Sequence, residues 1–423
     1  MLHSLSMTSA TAPPRQTVSS LQWMVLILLV ISVCINYIDR GNLSVASVAI
    51  SKELGLRPSQ LGFLFSGFFW TYAGFMIFAG WLTDRYNVIW VYAIGYLLWS
   101  VATAVTGLVT GFAALFALRL LLGMSESVAY PSYSKIIAAD FPERQRGMAN
   151  GLLDAGSKLG PAFGMIFGGT ILNHFGWRAL FLLIGLVSLV WLVPWCLVAP
   201  KVPRVPSHKS KGGPGFMEIM EKRDAWGTFL CLFGANYGWY FLLTWLPGYL
   251  QMERHYSTET MALVGSLPFW AVASGAVFGG WASDAWIARG GSTTLVRKTF
   301  VIGGLTGCAL FLLPSSVAVN QVLAMSLLVV ASFSFGLFSS NNWCITQTLA
   351  GPAAAGKWTG LQNCCGNLAG VVAPVVTGFV VELTGSFFFA FVFVCANLLM
   401  SALSYLLIVR NITPIKWRNS TPM

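Results

Sequence analysis

The chain has 423 residues, 56% of them hydrophobic and 9% charged, with 17 Trp and 30 Phe. Soluble domains carry roughly 25% charged residues, so the composition is that of a polytopic membrane protein. The net charge of +11 does not indicate nucleic acid: with the spans set out below, 18 of 25 Lys and Arg fall on one side, four on the other and three inside the membrane. That asymmetry marks the rich side as the cytoplasm.

Met1 to Ser20 is polar and contains Pro13-Pro14. The apolar run after it lacks a small-residue cleavage site, so the reading is a cytoplasmic tail followed by a retained first span, with no signal peptide. A span needs about 20 apolar residues, and turn or charge punctuation predicts twelve: 22–48, 60–82, 87–108, 111–137, 148–172, 178–199, 226–250, 260–282, 298–315, 321–346, 357–382 and 387–409. The fold class is therefore an all-α membrane protein. Twelve spans place both termini on the cytoplasmic side.

The first span contains Asn36-Tyr37-Ile38-Asp39-Arg40-Gly41-Asn42-Leu43-Ser44. A carboxylate and a guanidinium in hydrocarbon cost several kcal/mol unless they face a partner or a watery cavity, so they mark a functional site. Asp39 and Arg40 are adjacent, roughly 100° apart around the helix, and do not pair with each other. The second span ends on Gly80-Trp81-Leu82-Thr83-Asp84-Arg85. In the fourth, Arg119, Gly123, Glu126 and Tyr130 form one stripe. Arg119 and Glu126 are two turns apart, roughly 10 Å, so neither can satisfy the other closely and both are expected to look into a shared space. A static charge network holding helices together is the competing explanation. The fifth span carries Asp154 and Lys158, an i,i+4 pair in the order that lets a helix neutralise its own charges.

The segment 200–225 is the one long linker, with Lys201, Arg204, Lys209, Lys211, Lys222 and Arg223 around Gly212-Gly213-Pro214-Gly215. It divides the chain into a tail (1–20), a first six-helix half (21–199), the linker, a second half (226–410) and a second tail (411–423). The halves repeat. Gly80 to Asp84 recurs as Gly280-Trp281-Ala282-Ser283-Asp284, and the fifth and eleventh spans align at an offset of 209, matching Gly151 with Gly360, Gly169 with Gly378 and Gly176 with Gly385. In that register Asp154 lies opposite Asn363 and Lys158 opposite Asn367. Because those amides lie on the polar face of the eleventh span, Asp154 and Lys158 are expected to face the cavity as candidate substrate contacts, Lys158 leaving Asp154 for an incoming carboxylate, with a structural clasp as the alternative. Two six-span halves in parallel repeat are how the major facilitator architecture is built, with its substrate site between the halves near the midplane.

In the second half, the seventh span contributes Asn236-Tyr237-Gly238-Trp239-Tyr240, the tenth Asn341-Asn342-Trp343 and the eleventh Gln362-Asn363-Cys364-Cys365-Gly366-Asn367. Amides in lipid are costly when unpaired, and interhelical hydrogen bonding would account for them as well as a ligand would. The eight cysteines all fall in apolar runs, and the histidines (3, 174, 208 and 255) are scattered. There is no H-E-x-x-H, G-x-S-x-G or G-x-x-x-x-G-K-[ST]. Neither an enzyme nor a bound metal or cofactor is expected.

The Asn36 to Ser44 run, Leu118-Arg119-Leu120-Leu121-Leu122-Gly123-Met124-Ser125-Glu126 and Gly366-Asn367-Leu368 resemble the anion:cation symporter family of the major facilitator superfamily, which holds sugar-acid importers and sialin-like carriers. The resemblance implies proton-coupled uptake of a small organic anion, such as a hexonate, hexarate or uronate, by a monomer in the inner membrane surrounded by lipid. By motif, it implies Asp39 and Glu126 as protonation sites, Arg40 and Arg119 as their charge partners, and Tyr37, Tyr72, Trp343 and Asn363 as cavity contacts. Tyr240, Asn341 and Asn367 join them as candidate substrate contacts from the polar faces above. Asn87-Val88 stands where the family's loop motif carries basic residues, and Asp154 with Lys158 departs from the neutral residues of sugar-acid carriers. A drug/proton antiporter, an organophosphate/phosphate exchanger and a non-transporting sensor are the rival readings. Three cavity cations, Arg40, Arg119 and Lys158, favour an imported anion, and two acids among them argue against the exchanger.

Overall fold

The computed structural model describes residues 18–202 and 214–418. Most of the N-terminal tail, the centre of the linker with Arg204, Lys209 and Lys211, and the last five residues lie outside that range. The described chain is helical: α1 Ser20–Leu54, α2 Pro58–Arg85, α3 Val88–Thr106, α4 Phe112–Glu126, α5 Ala129–Asp140, α6 Glu143–Leu189, α7 Leu192–Val198, α8 Phe216–Met220, α9 Arg223–Met252, α10 Thr258–Ala288, α11 Thr293–Val317, α12 Gln321–Thr384 and α13 Phe388–Leu407. Eleven stretches among the described residues are long and apolar enough to cross a bilayer. One of them, the 54 residues of Met148–Lys201, would be roughly 80 Å long if straight and so crosses twice. Twelve crossings result.

Local chemistry explains the interruptions. α1 starts at a capping box, with Ser19 and Gln22 each accepting from the other's backbone N–H, and stops at Gly55 in the left-handed conformation. α6 folds back at Gly176 (φ 79°) and α12 at Gly351 (φ 64°), a conformation that only glycine adopts without strain. The fourth predicted span is two helices because Pro131 removes the N–H that Ser127 would accept and clashes with that carbonyl. The break falls at 127–128.

Within each half the helices pack chiefly on their own neighbours, α1 on α6 and α2 on α4 in the first, α9 and α11 on α12 in the second. Between the halves, α2 meets α12, α6 meets α10 and α1 meets α9. The bonds across this seam lie on the side away from the linker. Ser59 N donates to Glu382 Oε2 at 3.0 Å, Ser66 Oγ to the Val371 carbonyl at 2.7 Å and Ser44 Oγ to the Thr244 carbonyl at 2.5 Å. Rings interlock beside them, Phe63 on Phe379, Phe65 on Trp245 and Phe163 on Trp270. The repeat-matched Gly169 and Gly378 serve the same end: a Cβ on the first would strike Ala262, and one on the second would come 2.6 Å from the Pro58 carbonyl. Towards the linker side Tyr130 and Leu152 are exposed and Asp154 is part-exposed.

At the linker end, the repeated glycine motifs close α2 and lie one turn before the end of α10. Lys135 donates to the Thr83 carbonyl and lies 3.5 Å from Asp84, while Arg297 bonds Asp284 at 2.6 Å and Ser283 Oγ at 2.7 Å. The segment after α13, read from sequence as a tail from 411, crosses the ends of the second half as far as residue 418. Ile412 N donates to Thr294 Oγ1, Ile415 N to the Leu349 carbonyl and Trp417 Nε1 to the Ala350 carbonyl. Arg418 joins it to α8 and its flank through Glu218 and Glu221.

Candidate functional site

The polar stretch of α1 faces inward. Asp39 and Asn42 are wholly buried, and Asn36 and Arg40 nearly so. Arg40 Nε donates to Glu126 Oε2 at 2.9 Å, and its guanidinium is enclosed by the rings of Tyr37, Phe68 and Tyr72 at 4.8, 4.8 and 4.5 Å. Such stacking suits a planar, weakly hydrated cation. Arg40 Nη2 has no hydrogen-bond partner. Tyr37 and Tyr130 touch through their hydroxyls at 3.2 Å.

Glu126 and Arg119 share an enclosed region rather than a watery one. Both are buried, at 0 and 3% exposure. Arg40 from the neighbouring helix takes the glutamate, because α4 ends there and turns its last carboxylate towards α1. Arg119 instead lies within the electrostatic reach of both Asp39 and Glu126, with its Nε and one Nη unbonded. Asp39 accepts a long 3.4 Å bond from Asn42 and leaves Oδ2 without a partner. Two acids and two arginines thus form one buried cluster whose formal charges cancel, and several of its donors and acceptors are unused.

Across the seam, Tyr240 Oη donates to Asn367 Oδ1 at 2.6 Å, and Asn367 Nδ2 donates to the Asn363 carbonyl at 2.9 Å. The Tyr240 ring rests on Phe69, 4.4 Å between centroids, and lies in the field of Arg40, Tyr37 and Tyr72. Asn363 is half-buried. Lys158 lies 3.8 Å from Asp154 and 4.7 Å from the centroid of Trp239, so it contacts both halves. Gly160, two residues on, abuts Tyr37.

Tyr37, Arg40, Tyr72, Glu126, Lys158, Tyr240 and Asn367 are therefore gathered at the seam. Asn341 is not among them. Its Oδ1 accepts from Arg297 at 2.9 Å and its Nδ2 donates to the Gly279 and Leu337 carbonyls, which ties it to the α10–α11 corner. Trp343 is half-buried against the apolar core. Neighbouring amides act as interhelical ties: Asn342 Oδ1 accepts from Tyr405 at 2.9 Å and Gln362 Oε1 from Thr346 at 2.7 Å. Sequence reasoning missed Phe68, although its i,i+4 spacing to Tyr72 was a usable signal, and it gave Trp239 no role of its own.

The Major Facilitator Superfamily model matches residues 29–374. A probable galactarate/D-glucarate transporter of Bacillus subtilis (strain 168) is 30% identical over 95% of this chain and 94% of its own. The D-galactonate transporter of Escherichia coli O6:H1 is 30% identical over 92 and 96%. A probable sulfoacetate transporter of Cupriavidus necator is 33% identical over 88 and 90%. Among solved structures, an inward-facing, occupied bacterial homologue of the human lysosomal transporter Spinster superposes with a TM-score of 0.79 at 18% identity, covering 93% of this chain and 98% of that one. At that identity the likeness is one of fold.

Proposed function

The chain belongs to the Major Facilitator Superfamily, in the company of its anion:cation symporters, and from that premise we propose that it imports a sugar acid together with protons. The observation that carries the reading is the Arg40–Glu126 bond of 2.9 Å inside a cage of Tyr37, Phe68 and Tyr72, set against Tyr240 and Asn367 of the other half. Aromatic walls and amides fit a polyhydroxylated chain, and the guanidinium fits its carboxylate.

Coupling follows from charge balance. A substrate carboxylate that takes over the free side of Arg40 competes with Glu126, and an acid that loses its cation in an apolar site favours its neutral, protonated form. Asp39 stands in the same relation to Arg119. Anion and proton therefore bind together, and the neutralised site can be enclosed as one half rocks against the other. The linker side, rich in Lys and Arg, is the cytoplasm, so the seam described here is closed outside and open inside, with both termini cytoplasmic in an inner membrane.

Glu126→Gln tests the proposal. It should abolish uphill uptake driven by a pH gradient and preserve counterflow exchange of labelled sugar acid, since exchange does not require the empty carrier to return. Asp39→Asn should lose both where its charge is needed for binding. Gradient-driven accumulation at the parent level in both variants would remove the two acids from the coupling mechanism.

A further inference from the structure

The linker-side ends of α11 and α13 flank a groove of about 680 Å³, far from the seam and unused by the transport reading. We propose that it holds one anionic glycerophospholipid of the cytoplasmic leaflet, with the phosphate on Lys298 and an acyl chain lying over Gly303. The proposal needs the linker side to be the cytoplasmic one and does not depend on which substrate is carried.

The groove is polar at its mouth and apolar further in. Lys298 and Thr299 of α11, with Asn411 opposite, line the mouth, and Gly303 and Leu406 continue it along the helices. Gly303 is five residues beyond Lys298, a rise of roughly 7.5 Å, so the groove runs from headgroup depth towards hydrocarbon. α11 begins at Thr293, and the positive end of its 25 residues lies at the same mouth.

Lys298 has donors to spare. Its ammonium gives one hydrogen bond to the Val409 carbonyl at 2.6 Å, a neutral acceptor, and an ammonium carries three donors. Among the described residues no carboxylate lies within ion-pair distance of it. Asp224, whose field reaches it, commits Oδ1 to the Arg410 backbone N–H at 2.6 Å. A cation so placed, between two membrane helices on the cytoplasmic side, attracts an anionic headgroup over a zwitterionic one.

The walls select lipid over a soluble anion. Leu295 and Leu406 are 59 and 57% exposed, and a Cβ on Gly303 would meet nothing within 4 Å. That leaves an open slot on a face that only an acyl chain covers in a bilayer. A free phosphate would gain from Lys298 but nothing from the slot.

The test uses the full-length protein purified in detergent and native mass spectrometry of the lipid retained last as detergent is stripped. The probes are phosphatidylglycerol, phosphatidylcholine with the same acyl chains, and glycerol 3-phosphate as the soluble headgroup. The parent should retain phosphatidylglycerol about fivefold over phosphatidylcholine, the order of preference that one lysine near a charged leaflet supplies, and should retain no glycerol 3-phosphate. Lys298→Gln should bring the ratio close to one, and Lys298→Arg should keep most of it. Gly303→Phe fills the slot and should remove that last lipid whatever its headgroup, with no change in the lipid-free thermal midpoint. Equal retention of the two lipids by the parent, or a last lipid that persists in Gly303→Phe, would overturn the proposal even if Lys298→Gln fails to fold. Glycerol 3-phosphate held as firmly as phosphatidylglycerol would overturn it in favour of a soluble anion.

Discussion

Arg40 and Arg119 carry the same charge in the same half of the molecule, yet their surroundings assign them different work. Arg40 is bonded to one acid and walled by three rings, so Arg40→Lys loses the stacking and the planar fork together. A hydrogen bond to a charged group is worth about 1.5–3 kcal/mol, so the change should lower uptake efficiency by about tenfold or more, read as kcat/KM for labelled substrate. Arg119 has unbonded donors and no ring contact to lose. Arg119→Lys should have the smaller effect. Equal losses would mean that both arginines contribute only charge.

At the scale of elements, the break between α4 and α5 and the strap after α13 each set the position of something functional. Pro131 ends the helix at Glu126, which frees that carboxylate to reach Arg40 on α1. Pro131→Ala should extend the helix through 127–128 and weaken the pair, lowering transport while leaving the protein folded. The strap buries Trp417 to 7% exposure against Trp358, with Lys222 over its outer face. Truncating a buried Trp to Ala costs about 3–5 kcal/mol, so Trp417→Ala should lower the thermal midpoint in detergent by several degrees. An unchanged midpoint would show that the strap only rests on the helix ends.

For the whole molecule, the proposed transport cycle makes the seam away from the linker the device that decides which side the cavity faces. Gly378 lies so close to the Pro58 carbonyl that any side chain must push α2 and α12 apart. Gly378→Val should therefore shift the population towards the outward-open state, seen as faster maleimide labelling of a cysteine placed at Ser66, whose hydroxyl is bonded across the seam in the parent. Unaltered labelling would mean that the seam yields without opening.

Hydrophobic run length set the twelve crossings, because bilayer thickness sets span length and unpaired backbone polar groups are excluded from lipid, and the repeated glycine motifs carried the likeness of the halves. The glycines at 169 and 378, matched by offset alone, do meet the opposite half. The polar stretch of α1 was legible too, since buried charge has few bland explanations. Pairing was not legible. Which arginine meets Glu126 depends on how α1 and α4 are rotated against each other, and intrahelical spacing says nothing about that angle. The same limit separated Asn367, which accepts from Tyr240 beside Arg40, from Asn341, which is held by Arg297 at the far corner. Two amides of equal cost in lipid carry the same signal in sequence, and only the packing of helices decides which one faces a cavity and which one ties a corner.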